Sequence, residues 1–431
     1  MRPRTVELGL LLLASIITAA AYGLTSLGRA ASLPADIVPF LGIVLAVLLL
    51  AHVVVRRFAP AADGLLLPLA ALLNGVGYVM IARLDPGLAD SQSAWTFIGL
   101  LGFTMVLVLI PDMRKLADYR YSFALVGVIL LLLPLLPGIG REINGARIWL
   151  RVGSFSIQPG EFAKIVLATF LAGYLIEKRE LLSSSAKRFG PIHLPNPKYF
   201  GPLLMAWGVA LVVMVAERDL GSSLLFFTLF VVMLYLATER SAYVVAGMSM
   251  FAAGACVVPH VRPRPAASRH LARPFADPKE AGYQIVEASF ALADGGISGS
   301  GLGLGTPNKI PVASTDMIFA AIGEELGLLG ASAVLITFLL FIGVGFKVAR
   351  LAASPFEALL AAGLTALLGF QAFVIIGGVL RVLPLTGVTL PFVSYGGSSL
   401  ISNYIILAVL IKISDRSARA DAFLPAKPVS A

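Results

Sequence analysis

Residues 314–346 read STDMIFAAIGEELGLLGASAVLITFLLFIGVGF. No residue from Leu326 to Phe346 is charged, and those 21 residues, at about 1.5 Å each in a helix, span the hydrocarbon core of a bilayer. Asp316, Glu324 and Glu325 stand just before that run. Ionisable groups at membrane depth are costly, so three carboxylates at the edge of a span call for a purpose.

The rest of the chain repeats the apolar pattern. Its 431 residues are 58% hydrophobic and 13% charged, too little charge to cover a soluble protein of this length. Apolar runs recur at 6–27, 37–55, 65–82, 94–110, 121–137, 162–176, 200–216, 221–237, 242–259, 326–346, 356–380 and 399–413. The expectation is an all-α, polytopic membrane protein with about 12 transmembrane helices and a large loop between the ninth and tenth. The N-terminus, MRPRTVELGLLLLASIITAAAYG, mimics a signal peptide, but its apolar part continues to Leu27 and reads as an uncleaved first helix. Cys256 is the single cysteine, which excludes an intrachain disulfide and a cysteine metal site. His52, His193, His260 and His270 show no metal-ligand spacing.

An even number of spans places both termini on one side. With the N-terminus inside, nineteen Lys and Arg fall in inner segments against eight in outer ones, leaving out the long loop 260–315. That bias puts both termini in the cytoplasm, and it accounts for the +9 net charge without a nucleic-acid partner. The inner loops read as solvated basic connectors. Every unusual motif then lies outside: ARIWLRVGSFSIQPGEFAK (146–164), ERDLGSS (217–223), the loop 260–325 and PLTGVTLPFVSYGGSS (384–399). Four loops distant in sequence are expected to converge at one membrane face.

Within them, residues 314–325 read as a short helix on the outer interface, with Ser314 or Thr315 as N-cap and Asp316 in the first turn. Asp316 is thus either a helix-start carboxylate or a functional one. Glu324 and Glu325, two turns on, read as interfacial or structural. Glu161 and Lys164 form an i,i+3 pair at a helix entrance, as a snorkelling ion pair or a functional site. Arg147 and Arg151, i,i+4 if helical, flank Trp149 and suit an anionic headgroup arriving from the bilayer. Asp219 would pair with Arg218 or with a cation. GGISGSGLGLGTPNK (295–309) lacks the GK[ST] of a nucleotide loop, but its backbone N–H groups and Lys309 could meet a pyrophosphate.

FSIQPGEFAK, DLGSS, GYQIV, GGISGSGLGLG, STDMIFAAIGEELGLLG and PLTGVTLPFVSYGGSSL occur in this order. Together they resemble the SEDS proteins, the RodA/FtsW/SpoVE family of peptidoglycan glycosyltransferases, over about residues 65 to 415, and most of all a RodA-type member. The resemblance implies a ten-helix core at 65–415 that includes the extracytoplasmic loop 260–325. Two extra transmembrane helices would occupy 1–64 and a cytoplasmic tail 416–431. It implies a multi-pass protein of the bacterial cytoplasmic membrane that polymerises lipid II, by inversion, into β-1,4 glycan strands for elongation or division. Asp316 would be catalytic, and Glu161 and Lys164 would border a polar cavity open to the bilayer. Arg147, Asp219, Lys309, Ser394 and Ser398 join that pair as candidate substrate-binding residues. A divalent cation (Mg or Mn, ligands unassigned) would help to hold the pyrophosphate. The implied partners are a class B penicillin-binding protein, the transpeptidase, and an elongation or division complex.

The chain departs from the family pattern at three places. Arg218 precedes Asp219-Leu220-Gly221 where the family has Pro; Leu271-Ala272-Arg273 and Glu287-Ala288 also differ. Two other functions share these features: a lipid II flippase, and a non-catalytic scaffold for a transpeptidase. A flippase needs charged residues along a path through the bilayer, and the segments after Lys164 carry almost none.

Overall fold

Helix α1 (Pro3–Ala30) carries a glycine where another segment must touch its backbone: a Cβ on Gly28 would meet Leu302 O at 2.3 Å. The glycine-rich stretch 295–309 therefore rests directly on the first helix. The computed structural model describes residues 3–32, 37–143, 146–153, 155–180, 186–189, 192–195, 208, 219–249, 275 and 282–422. α2 (Ile37–Phe58) follows, and α1 packs along it and along α3 (Leu66–Leu84). Asp85 ends α3 and starts α4 (Pro86–Leu109), its carboxylate accepting from Gly87 N at 2.8 Å while Pro86 fills the first turn. That cap starts α4 earlier than the apolar run alone suggests.

α5 (Arg120–Leu132) lies between two 3₁₀ turns, Met113–Tyr119 and Leu133–Leu135, and the three form one apolar segment. α6 (Pro159–Glu177), α7 (Leu220–Thr238), the shorter α8 (Tyr283–Gly295), α9 (Ile318–Arg350), α10 (Pro355–Val379) and α11 (Gly397–Ala422) complete the described helices. Nine segments among the described residues are long and apolar enough to cross a membrane, and α2 adds a 22-residue apolar helix. The expected span 200–216 lies outside the described residues except Gly208, and that at 242–259 is described, as helix, only to 249. The body is helical and polytopic, as expected.

Small sheets occupy two connections. β1 (Gly140–Ile143), β2 (Ala146–Val152) and β3 (Phe155–Ile157) form an antiparallel sheet in that order; β4 (Ala186–Phe189) and β5 (Ile192–Pro195) form a hairpin. Arg147 and Arg151 are therefore strand residues rather than neighbours on a helix.

The interfacial helix expected at 314–325 is not what forms. Residues 311–317 are turns, α9 starts at Ile318, and Ile318–Glu325 are buried inside the protein. The helix then breaks at Gly327, whose φ of 65° favours glycine and where a Cβ would meet Gly299 N at 2.2 Å. The N–H groups freed by the kink find carbonyls of the glycine-rich stretch: Leu328 N donates to Gly296 O at 2.9 Å and Leu329 N to Ile297 O at 3.1 Å. The run before the kink is a plug gripped by that stretch.

At the opposite end, basic residues expected as solvated connectors are partly ion-paired. Lys347 meets Asp63 at 2.8 Å, and Arg416 joins Glu357 at 3.1 Å and also Asp112. α11 continues past 415 to Ala422, with Arg419 and Asp415 pairing one turn apart at 2.9 Å.

Candidate active site at one end of the helical bundle

α6 enters the bundle through Pro159 at its first turn, where a missing N–H costs nothing. The preceding Gln158 N donates to Ser398 Oγ at 2.9 Å, tying this entrance to the start of α11. One turn in, Lys164 Nζ pairs with Glu161 Oε2 at 2.9 Å, both side chains under 5% exposed. The pair is not alone: Ser402 Oγ donates to Glu161 Oε2 at 3.0 Å, and Lys164 Nζ donates to Gln371 Oε1 at 3.1 Å. Gln371 Nε2 in turn donates to Thr389 O at 2.8 Å, and Thr389 Oγ1 to Ser399 Oγ at 2.7 Å. α6, α10, α11 and the loop before α11 are thus joined by one buried polar network.

Glu161 and Lys164, expected to border a polar cavity, are almost fully buried where α10, α11 and the loop before α11 meet α6. A cavity of about 370 Å³ lies at the other end, lined by Asp112, Arg114, Glu357, Lys412 and Arg416 among others.

The loop before α11 also reaches the turn that carries Asp316. Ser394 Oγ donates to Thr315 O at 2.6 Å and accepts from Leu390 N at 2.9 Å, while Tyr395 N donates to Ser314 O at 2.8 Å. Ser394 and Ser398 are buried struts between loops, with their hydroxyls engaged by backbone. Asp316 Oδ2 faces Gly387, 3.8 Å from where a Cβ would stand. Among the described residues no cation pairs with Asp316. Burial pushes its pKa up to about 6, and a hydrogen bond with the Thr315 side chain offsets only part of that.

Asp219 joins the same cluster from α7. Its carboxylate caps the helix, accepting from Ser222 N at 3.0 Å and from the Ser222 hydroxyl. Burial raises its pKa, the Ser222 bonds pull the other way, and the charge of Glu161 adds to the rise. Two residues on, a Cβ at Gly221 would strike Thr386 O at 2.4 Å, so α7 abuts the loop that faces Asp316. The expected partner Arg218 lies outside the described residues.

Glu324 and Glu325 are structural. Arg83 Nε meets Glu325 Oε1 at 2.8 Å while Gly303 N donates to Glu325 Oε2 at 3.0 Å; Thr306 N donates to Glu324 Oε1. Ser300 N and Gly301 N donate to the carbonyls of Glu324 and Glu325. These N–H groups of the glycine-rich stretch are therefore spent on α9 and are not free to cradle a pyrophosphate. Lys309 is exposed at the end of a 3₁₀ turn and Arg147 is exposed on β2; among the described residues neither bonds to Asp316.

The described parts of the four motifs therefore come together, with Asp316, Asp219, Glu161 and Lys164 around the loop 384–396. The sequence reading passed over Gln371, Thr389, Ser402 and Arg83. Gln371 could have been found: it is a lone amide in the apolar run FQAFVIIGG of α10. Among the described residues no group of three His, Cys, Asp or Glu could hold a metal ion.

The family model of FtsW, RodA and SpoVE, described as cell cycle proteins, matches residues 65–419. The peptidoglycan glycosyltransferase RodA of Mycobacterium tuberculosis (strain ATCC 25618 / H37Rv) is 46% identical over 432 residues, covering 96% of this chain and 91% of that protein. The probable peptidoglycan glycosyltransferase FtsW of Geobacter metallireducens is 33% identical, covering 82% of this chain and 95% of its own. Among solved structures, a chain from work on the structural coordination of polymerization and crosslinking by a peptidoglycan synthase complex matches with a TM-score of 0.69 and 26% identity, over 83% of this chain and 98% of that one. The rod shape determining protein RodA of Thermus thermophilus shares the fold, at a TM-score of 0.57 and 24% identity over 85% of this chain and 99% of its own. Helical architecture, converging motifs and extent of match agree, and the chain belongs to the FtsW/RodA/SpoVE family.

Proposed function

We propose that this peptidoglycan glycosyltransferase polymerises lipid II at the outer face of the bacterial cytoplasmic membrane, with Asp316 as general base. In that reaction Asp316 takes the proton of the acceptor sugar's 4-hydroxyl. The freed oxygen attacks the anomeric carbon of the donor, the bond from that carbon to the pyrophosphate breaks, and undecaprenyl pyrophosphate leaves. Attack opposite the α-linked leaving group gives a β-1,4 link, hence inversion in one step. The observation that carries the reading is a half-buried carboxylate, unpaired among the described residues, facing a backbone glycine at the point where the motif loops meet. A base with a pKa near 6 is ionised at neutral pH yet more basic than an ordinary aspartate.

Glu161, Lys164 and Gln371 hold the loop that faces Asp316. In this reading Arg147, Lys309 and Asp219 would receive the pyrophosphate-linked headgroup, Asp219 through the cation that accompanies it. A divalent cation, Mg or Mn, would arrive with the pyrophosphate and offset its charge, since one or two carboxylates and substrate oxygens suffice for such ions. A class B transpeptidase partner is supported by the likeness to a chain of a peptidoglycan synthase complex. The deciding experiment is polymerisation of purified lipid II by wild type and by Asp316→Asn, with and without a candidate transpeptidase. Equal glycan yield from the two proteins would remove Asp316 from the chemistry. No polymer from a folded wild type, even with a partner, would favour the scaffold.

A further inference from the structure

The sheet β1–β2–β3 is two-faced, and its register shows which face is free. Arg141 pairs with Trp149 and Arg151 with Ser156, and paired residues of an antiparallel sheet share a face. Trp149 and Arg151 are alternate residues of β2, so Arg141, Trp149, Arg151 and Ser156 all lie on one side; the register shift between Arg141 and Ile143 interrupts the alternation between Ala146 and Trp149. The other side carries Gly140, Ile148, Leu150 and Ile157. Gly140 fixes the orientation: its Cβ would strike Pro134 O at 1.7 Å, so the apolar side packs on the 3₁₀ turn Leu133–Leu135. The arginine side points away from the protein.

Arg141 and Arg151 are both exposed. Arg151 Nε donates to Gly153 O at 3.1 Å; among the described residues Arg141 has no hydrogen bond or ion pair. The sheet is joined to α5 and α6 where both leave the membrane. Leu136 and Ile139, on the approach to β1, are 46% and 48% exposed, and Ile143 is 37% exposed.

We propose that this face docks on anionic phospholipid headgroups of the adjacent leaflet, lying at the interface with its guanidinium groups on lipid phosphates. Charge complementarity selects an anionic headgroup. The exposed apolar residues beside the arginines select a bilayer over a soluble polyanion, because they need the acyl boundary. Trp149 is the residue type enriched at that depth. The sheet runs through β3 directly into Gln158 and Glu161, so headgroup contact would hold the α6 entrance at a fixed depth.

The test places the full-length protein in nanodiscs containing brominated phosphatidylglycerol or brominated phosphatidylcholine at equal mole fraction. The difference in fluorescence between wild type and Trp149→Phe isolates Trp149. Expected is quenching about twofold stronger or more with the anionic lipid, and loss of that preference in Arg141→Gln/Arg151→Gln or near about 1 M salt. Arg141→Lys/Arg151→Lys should keep it, and unchanged elution and helical circular dichroism check the fold. Equal quenching by the two lipids, or a preference that survives the glutamine pair, overturns the proposal. Quenching by neither lipid also overturns it, placing the sheet away from the bilayer and available to a soluble polyanion.

Discussion

Asp316 Oδ2 lies 3.8 Å from where a side chain on Gly387 would begin, and Gly387 has a φ of +66°, a conformation that other residues resist. The carboxylate faces a backbone with no side chain on it, which leaves room for a substrate hydroxyl.

Asp316→Asn should lower lipid II polymerisation by about 10²-fold or more and leave the protein folded. Its stability should rise. The folded pKa of about 6 exceeds the ordinary value of 3.8, so ionisation opposes folding: stability is full below pH 4, falls as pH rises, and the loss is complete above 6. Removing the charge should recover up to about 3 kcal/mol at pH 7.5 and nothing near pH 3. Thermal melts of both proteins at the two pH values check this; a lower melting temperature for the variant at pH 7.5 would contradict it.

Wild-type kcat/KM should rise with pH through an apparent pKa of about 6 and level off above it, since the base works only when ionised. An acid limb near 4 instead would show that burial does not govern the active carboxylate.

Glu161→Ala or Lys164→Ala strands a buried charge and should each cost about 3–5 kcal/mol. The double variant should lose much less than the sum of the singles. Gln371→Leu should also impair the protein, because Lys164 loses an acceptor and Thr389 O a donor. If Lys164 also meets the pyrophosphate, the double variant will be folded but inactive. Two singles indistinguishable from wild type would remove the network from both roles.

Gly303→Ala should lower the melting temperature more than a surface substitution does. Gly303 has a φ of +79°, and a Cβ would meet Thr25 O at 2.3 Å, a backbone atom that cannot swing aside. A variant as stable as wild type would mean that α1 is not clamped by the glycine-rich stretch.

For orientation, Ile297→Cys and Leu351→Cys in a Cys256→Ala background should differ in cells. Ile297, 71% exposed, should react with an impermeant thiol reagent, and Leu351, 45% exposed, should react only after lysis. The reverse pattern would invert the assigned topology.

Much of this protein is written in local composition. Uncharged runs fix the spans because a bilayer core satisfies no backbone polar group, so a helix is forced wherever about twenty apolar residues follow one another. Lys and Arg counts and the order of the motifs likewise need no coordinates, and the i,i+3 spacing of Glu161 and Lys164 already implies their contact. The partners of buried polar groups could not be read this way. Glu325 meets Arg83, Lys164 meets Gln371, and the glycine-rich loop spends its N–H groups on α9, each across a long stretch of chain. Strand or helix at 146–152 was equally undecided, because Arg147, Trp149 and Arg151 fit either period until β1 and β3 pair with them. Sequence alone determined that the chain crosses the membrane repeatedly and that its motifs belong at one end. Tertiary packing alone decided which of the motif carboxylates are spent on structure and that Asp316 meets no cation among the described residues, because a buried charge is neutralised by whatever the fold brings beside it.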